Sequence, residues 1–256
     1  MAFIDVLRVV VIGWVIAHHA AQPYGPTGGD WPIADPGNLE WLRPLYPLGA
    51  AFGLGLLFFL AGYFVPRASD RKGAARFFRE RWVRVGLPLL VFVLVVHVPV
   101  VYLIDSSGTT FGEFVRSLYN SGWRDAYLHL WFLGHLVLYS AGYVVWRSLI
   151  DRRSDRPPRS RPVPGHAAVL GFVVGLGLVT WIVRGWYPID EWVPLFFVVA
   201  AEPAHLPQYV SLFALGVVAS RGDWLRRWPT QFGATWLSIG LGTSAVVYTA
   251  VMLAHD

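Results

Sequence analysis

Seven apolar runs, at about 3–22, 45–66, 83–104, 126–147, 166–184, 206–220 and 231–254, take up more than half of this 256-residue chain. Most approach the roughly 20 residues that a helix needs to cross the hydrocarbon of a bilayer. Lipid offers the backbone no hydrogen bonds, so runs of this length are expected to close their own as helices. With 55% hydrophobic and only 14% charged residues, the chain is too apolar for an ordinary soluble domain. The sequence therefore predicts an all-α polytopic transmembrane bundle of about seven spans in a single domain, 1–256. The run at 206–220 is short. The preceding VPLFFVVAA, 193–201, reads as an interfacial or re-entrant piece. No charged-then-apolar leader with a small-residue cleavage site precedes the first run, so that helix is expected to be retained.

Charge asymmetry orients the bundle. The segments 67–84, 147–161 and 221–227 carry seven, six and three Arg/Lys, whereas the intervening loops hold only Arg43, Arg116, Arg124 and Arg184. The positive-inside rule places the three basic segments and the N-terminus in the cytoplasm. Asp30, Asp35, Glu40, Asp105, Glu113, Asp190, Glu191 and Glu202 fall on the opposite side. The net charge of +5 is thus a topology signal, with no nucleic acid implied. The chain has no cysteine, which excludes disulfides, thiolate metal sites and cysteine nucleophiles.

Within the first run, FIDVLRVVVIGWVIAHHAAQPYG, Arg8 and His19 stand eleven residues apart. Eleven helical steps return to within about 20° of the starting direction and rise about 16 Å, so both project from one face. Ionisable side chains at membrane depth mark substrate paths and catalytic cavities. A snorkelling arginine beside a helix-end histidine would give the same spacing. Asp5, one turn before Arg8, is expected to orient that arginine. His18 points about 100° away from His19 and serves as its control.

Other polar residues carry less. His97 is flanked by Pro88 and Pro99, which are expected to bend the third helix. His129 and His135, six residues apart, point to different faces, and no carboxylate–histidine cluster at ligand spacing is evident, so no metal is expected. Gly49, Gly53, Ala51 and Gly55 have small-xxx-small spacing, which permits close helix packing. The stretch 67–84, RASDRKGAARFFRERWVR, is basic and amphipathic; it suits anionic lipids of the inner leaflet or the phosphates of a nucleotide-like molecule. The loop 151–165 reads as an Arg/Pro/Ser-rich linker, and the Gly/Pro/Trp-rich loop 23–44, with Trp31 and Trp41, as a cover over the external mouth.

Taken in order, FIDVLR with His19, LFFLAGYF (57–64), RFFRERWVRVGLP, HLWFL and PQYVSLFALGVVASRGDWL (207–225) resemble the membrane acyltransferase-3 family, closest to its glucan-modifying protein C branch. Arg8 and His19 match the family's Arg-x10-His signature. Ala61 stands where serine is common in the second motif. The resemblance implies an O-acyltransferase that moves an acyl group from a cytoplasmic acyl-CoA to a hydroxyl of an extracytoplasmic or lipid-linked glycan. It implies catalytic roles for His19 and Arg8, donor binding by Arg81, Arg84 and Trp131, and structural support from Asp5, Gly62 and Tyr63. His19 would be the base or the acyl acceptor, and the resemblance does not choose between them.

Acyl-CoA would be a co-substrate, with no bound cofactor. The expected site of action is a bacterial cytoplasmic membrane, and self-association is left open. Two departures stand out. Many members carry a glutamate soon after LWFL, where this chain has Gly134 and His135. Members also usually have about ten spans, so the chain is expected to lack the last ones. A transporter using the same polar path, or a truncated inactive scaffold, are the alternatives.

Overall fold

A computed structural model of the chain describes residues 2–25, 35–37, 39–43, 49–104, 108–120, 130–151, 162–196 and 199–255. Trp31, His129, Asp30, Asp105, Arg124 and residues 152–161 of the basic linker lie outside them.

The first helix, α1 (Ala2–Ala21), is largely apolar, and its burial is confined to one stripe. Ile4 and Val11 are buried, and Leu7, Arg8, Val15, His18 and His19 are partly covered. Val9, Val10, Ile12 and Ile16 point outward. The three-and-four spacing of the covered residues is that of one helix face against a neighbour.

That neighbour is α2 (Leu54–Lys72), entered through a π-helical turn at Gly49–Gly53. α1 runs antiparallel to it. Arg8 lies over Phe64, Trp14 lies by Gly53, and His18 approaches Gly49. Gly49 and Gly53 therefore do serve close packing, as their spacing predicts.

The third run forms α3 (Ala74–Ile104), separated from α2 by Gly73 at φ 79°. Pro88 and Pro99 each follow a π-helical turn, at Trp82–Gly86 and Phe92–His97. A proline ring strikes the carbonyl four residues back, here those of residues 84 and 95. Both carbonyls lie in the widened turns, so the strain of each proline is met by a wider turn. A short helix, α4 (Phe111–Asn120), begins at a capping box. Glu113 accepts from Thr110 N at 2.8 Å, and Glu113 N donates to Thr110 Oγ1 at 3.3 Å.

Next come α5 (Trp131–Asp151) and α6 (His166–Arg184), the latter with no buried residue. The segment expected to be interfacial or re-entrant forms an antiparallel hairpin, β1 (Val193–Leu195) and β2 (Val199–Ala201). Val193 pairs with Ala201, and Leu195 with Val199. Its Val, Leu and Phe content favours strands, and pairing satisfies a backbone too short to span. The chain closes with α7 (Leu206–Gly222), the short α8 (Trp224–Arg227) and α9 (Thr230–His255).

α2 and α7 form the tightest seam, running parallel. Gly55 abuts Leu212, Gly62 abuts Phe213, and Gly216 abuts Phe59. Around this seam sit an aromatic core (Phe58, Trp131, Tyr209, Phe213) and a second core joining Ile4 to Tyr63 and Trp224. Among the described residues, the helices at Phe3–Tyr24, Ala74–Ile104 and His166–Arg184 are long and apolar enough to cross a membrane. The other four apolar runs fall on α2, α5, α7 and α9.

Candidate functional site

The two ends of the α1–α2–α7 unit differ in chemistry. At one end gather Arg8, Arg67, Asp70, Arg147, Arg221 and Asp223. Asp70 pairs with Arg221 and with Arg147 at 3.5 Å, and Arg221 also donates to Tyr143 OH at 3.0 Å. Asp223 accepts from Arg67 at 2.6 Å and from Tyr63 OH at 3.1 Å. These bonds tie the ends of α2, α5 and α7 together. Asp223 feels its burial, which opposes the charge. The hydrogen bonds of Arg67 and Tyr63, with the charges of Arg67 and Arg226, outweigh it and hold the carboxyl below the usual range. Beside this network a cavity of about 300 Å³ is lined by Ser69, Asp70, Gly73, Ala74, Arg147 and Ser148.

Arg8 and Arg81, at the same end, stand apart from this network. The Arg8 guanidinium lies 4.1 Å from the centre of the Phe64 ring and 3.8 Å from Asp5, whose side chain is 68% exposed. The expected Asp5–Arg8 contact exists, but it is long and wet, worth little by itself. Arg81 is near enough to Arg8 for their like charges to oppose each other. Its Nε and Nη2 are buried, and no described residue accepts a hydrogen bond from either. A cation withdrawn from water without an acceptor is costly. Arg84, one turn further along a π-helical turn, is exposed and does not join this pair.

At the opposite end, α1 presents its two histidines. His19 Nδ1 donates to Val15 O at 2.7 Å, which fixes the proton on that nitrogen and the lone pair of the neutral ring on Nε2. His18 has the opposite arrangement, with Nε2 accepting from Gln22 Nε2 at 3.0 Å. The rings meet edge to face with centroids 5.3 Å apart. His18 is more than a control for His19. A Cβ on Gly49 would stand 3.0 Å from its Nδ1, so it lies in the α1–α2 contact. Gln22 Oε1 is buried there without a hydrogen-bond partner. Arg8 and His19 therefore share the covered stripe of α1, with an unsatisfied polar atom at each end of it.

Trp131 lies in the aromatic core, edge-on to His135 (5.2 Å) and Trp192 (5.5 Å) and tilted over Tyr209 (5.5 Å), not against the arginines. Gly62 and Tyr63 sit in the α2–α7 seam, Tyr63 fully buried. His135, fully buried, replaces the expected glutamate position with a structural bond. Nε2 donates to Ala200 O at 3.0 Å, and Tyr139 OH donates to Nδ1 at 3.0 Å. Gly134 makes room for Val199 beside it.

One carboxylate–histidine pair, smaller than a metal-ligating cluster, was not singled out from the sequence. Glu202 Oε1 lies 3.3 Å from His205 Nε2, with side-chain exposures of 9% and 11%. Glu-x-x-His spacing on one turn was the signal that could have found it. No group of three or more metal-ligating side chains occurs among the described residues.

A family model described as an acyltransferase domain matches residues 1–255. No curated protein matches the chain, and no solved structure does.

Proposed function

The chain belongs to the acyltransferase-3 family, and it is a membrane acyltransferase; we propose that it carries an acyl group from acyl-CoA to a hydroxyl of an extracytoplasmic or lipid-linked glycan. The observation that carries this reading is the buried pair Nε and Nη2 of Arg81 without an acceptor, beside Arg8 at the foot of the stripe that leads to His19.

The proposed topology has seven spans in a bacterial cytoplasmic membrane, with the N-terminus and the arginine-rich loops inside. Arg8 and Arg81 then face the cytoplasm and receive a phosphate group of the donor, which supplies the missing anion. Arg84, exposed beside them, meets the donor as it arrives. The acyl arm extends along the covered stripe of α1 toward His19. The stripe spans about 16 Å between the two residues, which is a length a flexible pantetheine-like arm can cover.

His19 acts through Nε2, the nitrogen that bears the lone pair while Nδ1 is committed to Val15 O. The acceptor oxygen forms the ester bond to the acyl carbon as the carbon–sulfur bond breaks. The hydroxyl proton passes to an imidazole and on to the departing thiolate. The alternative order, in which Nε2 first takes the acyl group, uses the same nitrogen. Gln22 Oε1, buried without a donor one turn from His19, is suited to accept a hydrogen bond from the incoming hydroxyl.

The experiment is acyl transfer in proteoliposomes supplied with acetyl-CoA labelled in its acetyl group and a lipid-linked glucoside. Label in the glucoside, matched by free CoA, is the expected result. Movement of intact substrate across the bilayer without thioester cleavage would favour the transporter reading and contradict this one.

A further inference from the structure

The Glu202–His205 pair is unused by the chemistry above, and its surroundings are unlike a core ion pair. Glu202 Oε1 accepts the backbone N–H of Asp190 at 2.9 Å and faces His205 Nε2 at 3.3 Å. A carboxylate at Nε2 favours the proton there and leaves the lone pair on Nδ1. No hydrogen bond to Nδ1 is found among the described residues, and the His205 side chain is 11% exposed. The imidazole is stacked on Tyr209 (5.8 Å, 20°), whose hydroxyl feels the charges of Glu202 and Arg184. An imidazole with one nitrogen beside a carboxylate and the other without a bond to a described residue is the arrangement of an oriented general base.

Its place in the fold connects it to the acyl-transfer end. α1 is antiparallel to α2 and α7 is parallel to it. His18 lies at Gly49, and Gln208, three residues after His205, lies at Gly55. Both imidazoles therefore flank the same end of α2, about 25 Å of α7 away from the Arg221–Asp70 network. Trp131, in the LWFL segment, and Trp192 continue the aromatic floor under Tyr209.

We propose that His205, held by Glu202, is a second acid–base residue of this protein and takes the proton of the acceptor hydroxyl at the end of the bundle where His19 lies. The inference rests on the acyltransferase reading above. It assigns His19 the acyl group. His19 Nε2 bonds to the acyl carbon as the thioester carbon–sulfur bond breaks, and the thiolate takes a proton from water. The hydroxyl oxygen then attacks the acyl carbon, its proton moves to His205 Nδ1, and the bond to His19 Nε2 breaks to return neutral imidazole. The proton on His205 leaves to water, which balances the one taken by the thiolate. Glu202 is a positioning residue.

The test uses the full chain in proteoliposomes with acetyl-CoA and octyl glucoside as the hydroxyl acceptor, following acetyl-glucoside formation and free CoA across pH. Two variants, His205→Gln and Glu202→Gln, keep the size of the side chains. Glu202→Gln also keeps an oxygen for the Asp190 N–H. We expect His205→Gln to slow transfer about 100-fold with the KM for acetyl-CoA within about twofold of wild type. Glu202→Gln should slow it about tenfold, again with little change in that KM. Glu202→Asp should restore part of the rate. Transfer by His205→Gln at the wild-type rate, or a Glu202→Asp rate no higher than that of Glu202→Gln, would overturn the assignment while leaving the acyltransferase reading intact. Absence of CoA release by the wild-type protein would overturn both.

Discussion

Gly62 lies so close to Phe213 that a Cβ added to it would stand 2.1 Å from the Phe213 carbonyl oxygen. Gly216 returns the contact, 2.1 Å from the Phe59 carbonyl. The two glycines let α2 and α7 touch backbone to backbone, and this seam sets the register that brings Arg67 to Asp223 and Asp70 to Arg221. Neither obstructing atom is a side chain that can turn away. Gly62→Ala and Gly216→Ala should each cost about 3 kcal/mol or more, read as a fall in thermal unfolding temperature in lipid nanodiscs. Gly13→Ala, on α1 with open space around it, should instead stabilise slightly through helix propensity.

Arg81 should show the opposite balance between stability and function. Its buried Nε and Nη2 lack acceptors, and Arg8 adds like charge. Arg81→Leu removes that cost, so the empty protein should gain about 1–3 kcal/mol. The same variant should lose the thermal stabilisation that free CoA gives the wild type. Loss of stability in Arg81→Leu without CoA would make Arg81 a structural residue.

Acid should loosen the arginine-rich end. The Asp223 carboxyl sits lower in the folded protein than in the unfolded chain. Its contribution to stability is therefore complete above the unfolded carboxylate range, about pH 4, and is lost as pH falls through the folded value. Unfolding temperature should drop below about pH 4 in the wild type and less steeply in Asp223→Asn.

The covered stripe of α1 was legible from the spacing of Arg8 and His19 because helical periodicity depends only on position along the chain. The same holds for Gly49 and Gly53. What could not be read was partnership between distant elements. Nothing in LWFLGH says that His135 would donate to a carbonyl 65 residues away in a hairpin, or that Trp131 would join that core instead of the arginines. Arg81 and Arg84, three apart, read as one motif, but the π-helical turn at Trp82–Gly86 buries one and exposes the other. Glu202 and His205 were within reach of spacing alone, yet the hairpin before them gave no helical pattern to place them on.

His135 carries a structural prediction. Substitution by phenylalanine fills the space but leaves Ala200 O and Tyr139 OH without their bonds. A loss of about 1–3 kcal/mol is expected, with faster protease cleavage near 193–201 than in the wild type.

The most direct test of the central claim is free CoA released from acetyl-CoA by the purified protein in lipid, compared across wild type, His19→Ala and His18→Ala. His19 offers its Nε2 lone pair, whereas His18 commits its own to Gln22. The account predicts release that His19→Ala abolishes and His18→Ala only reduces. Release that survives His19→Ala but is lost in His18→Ala would contradict it.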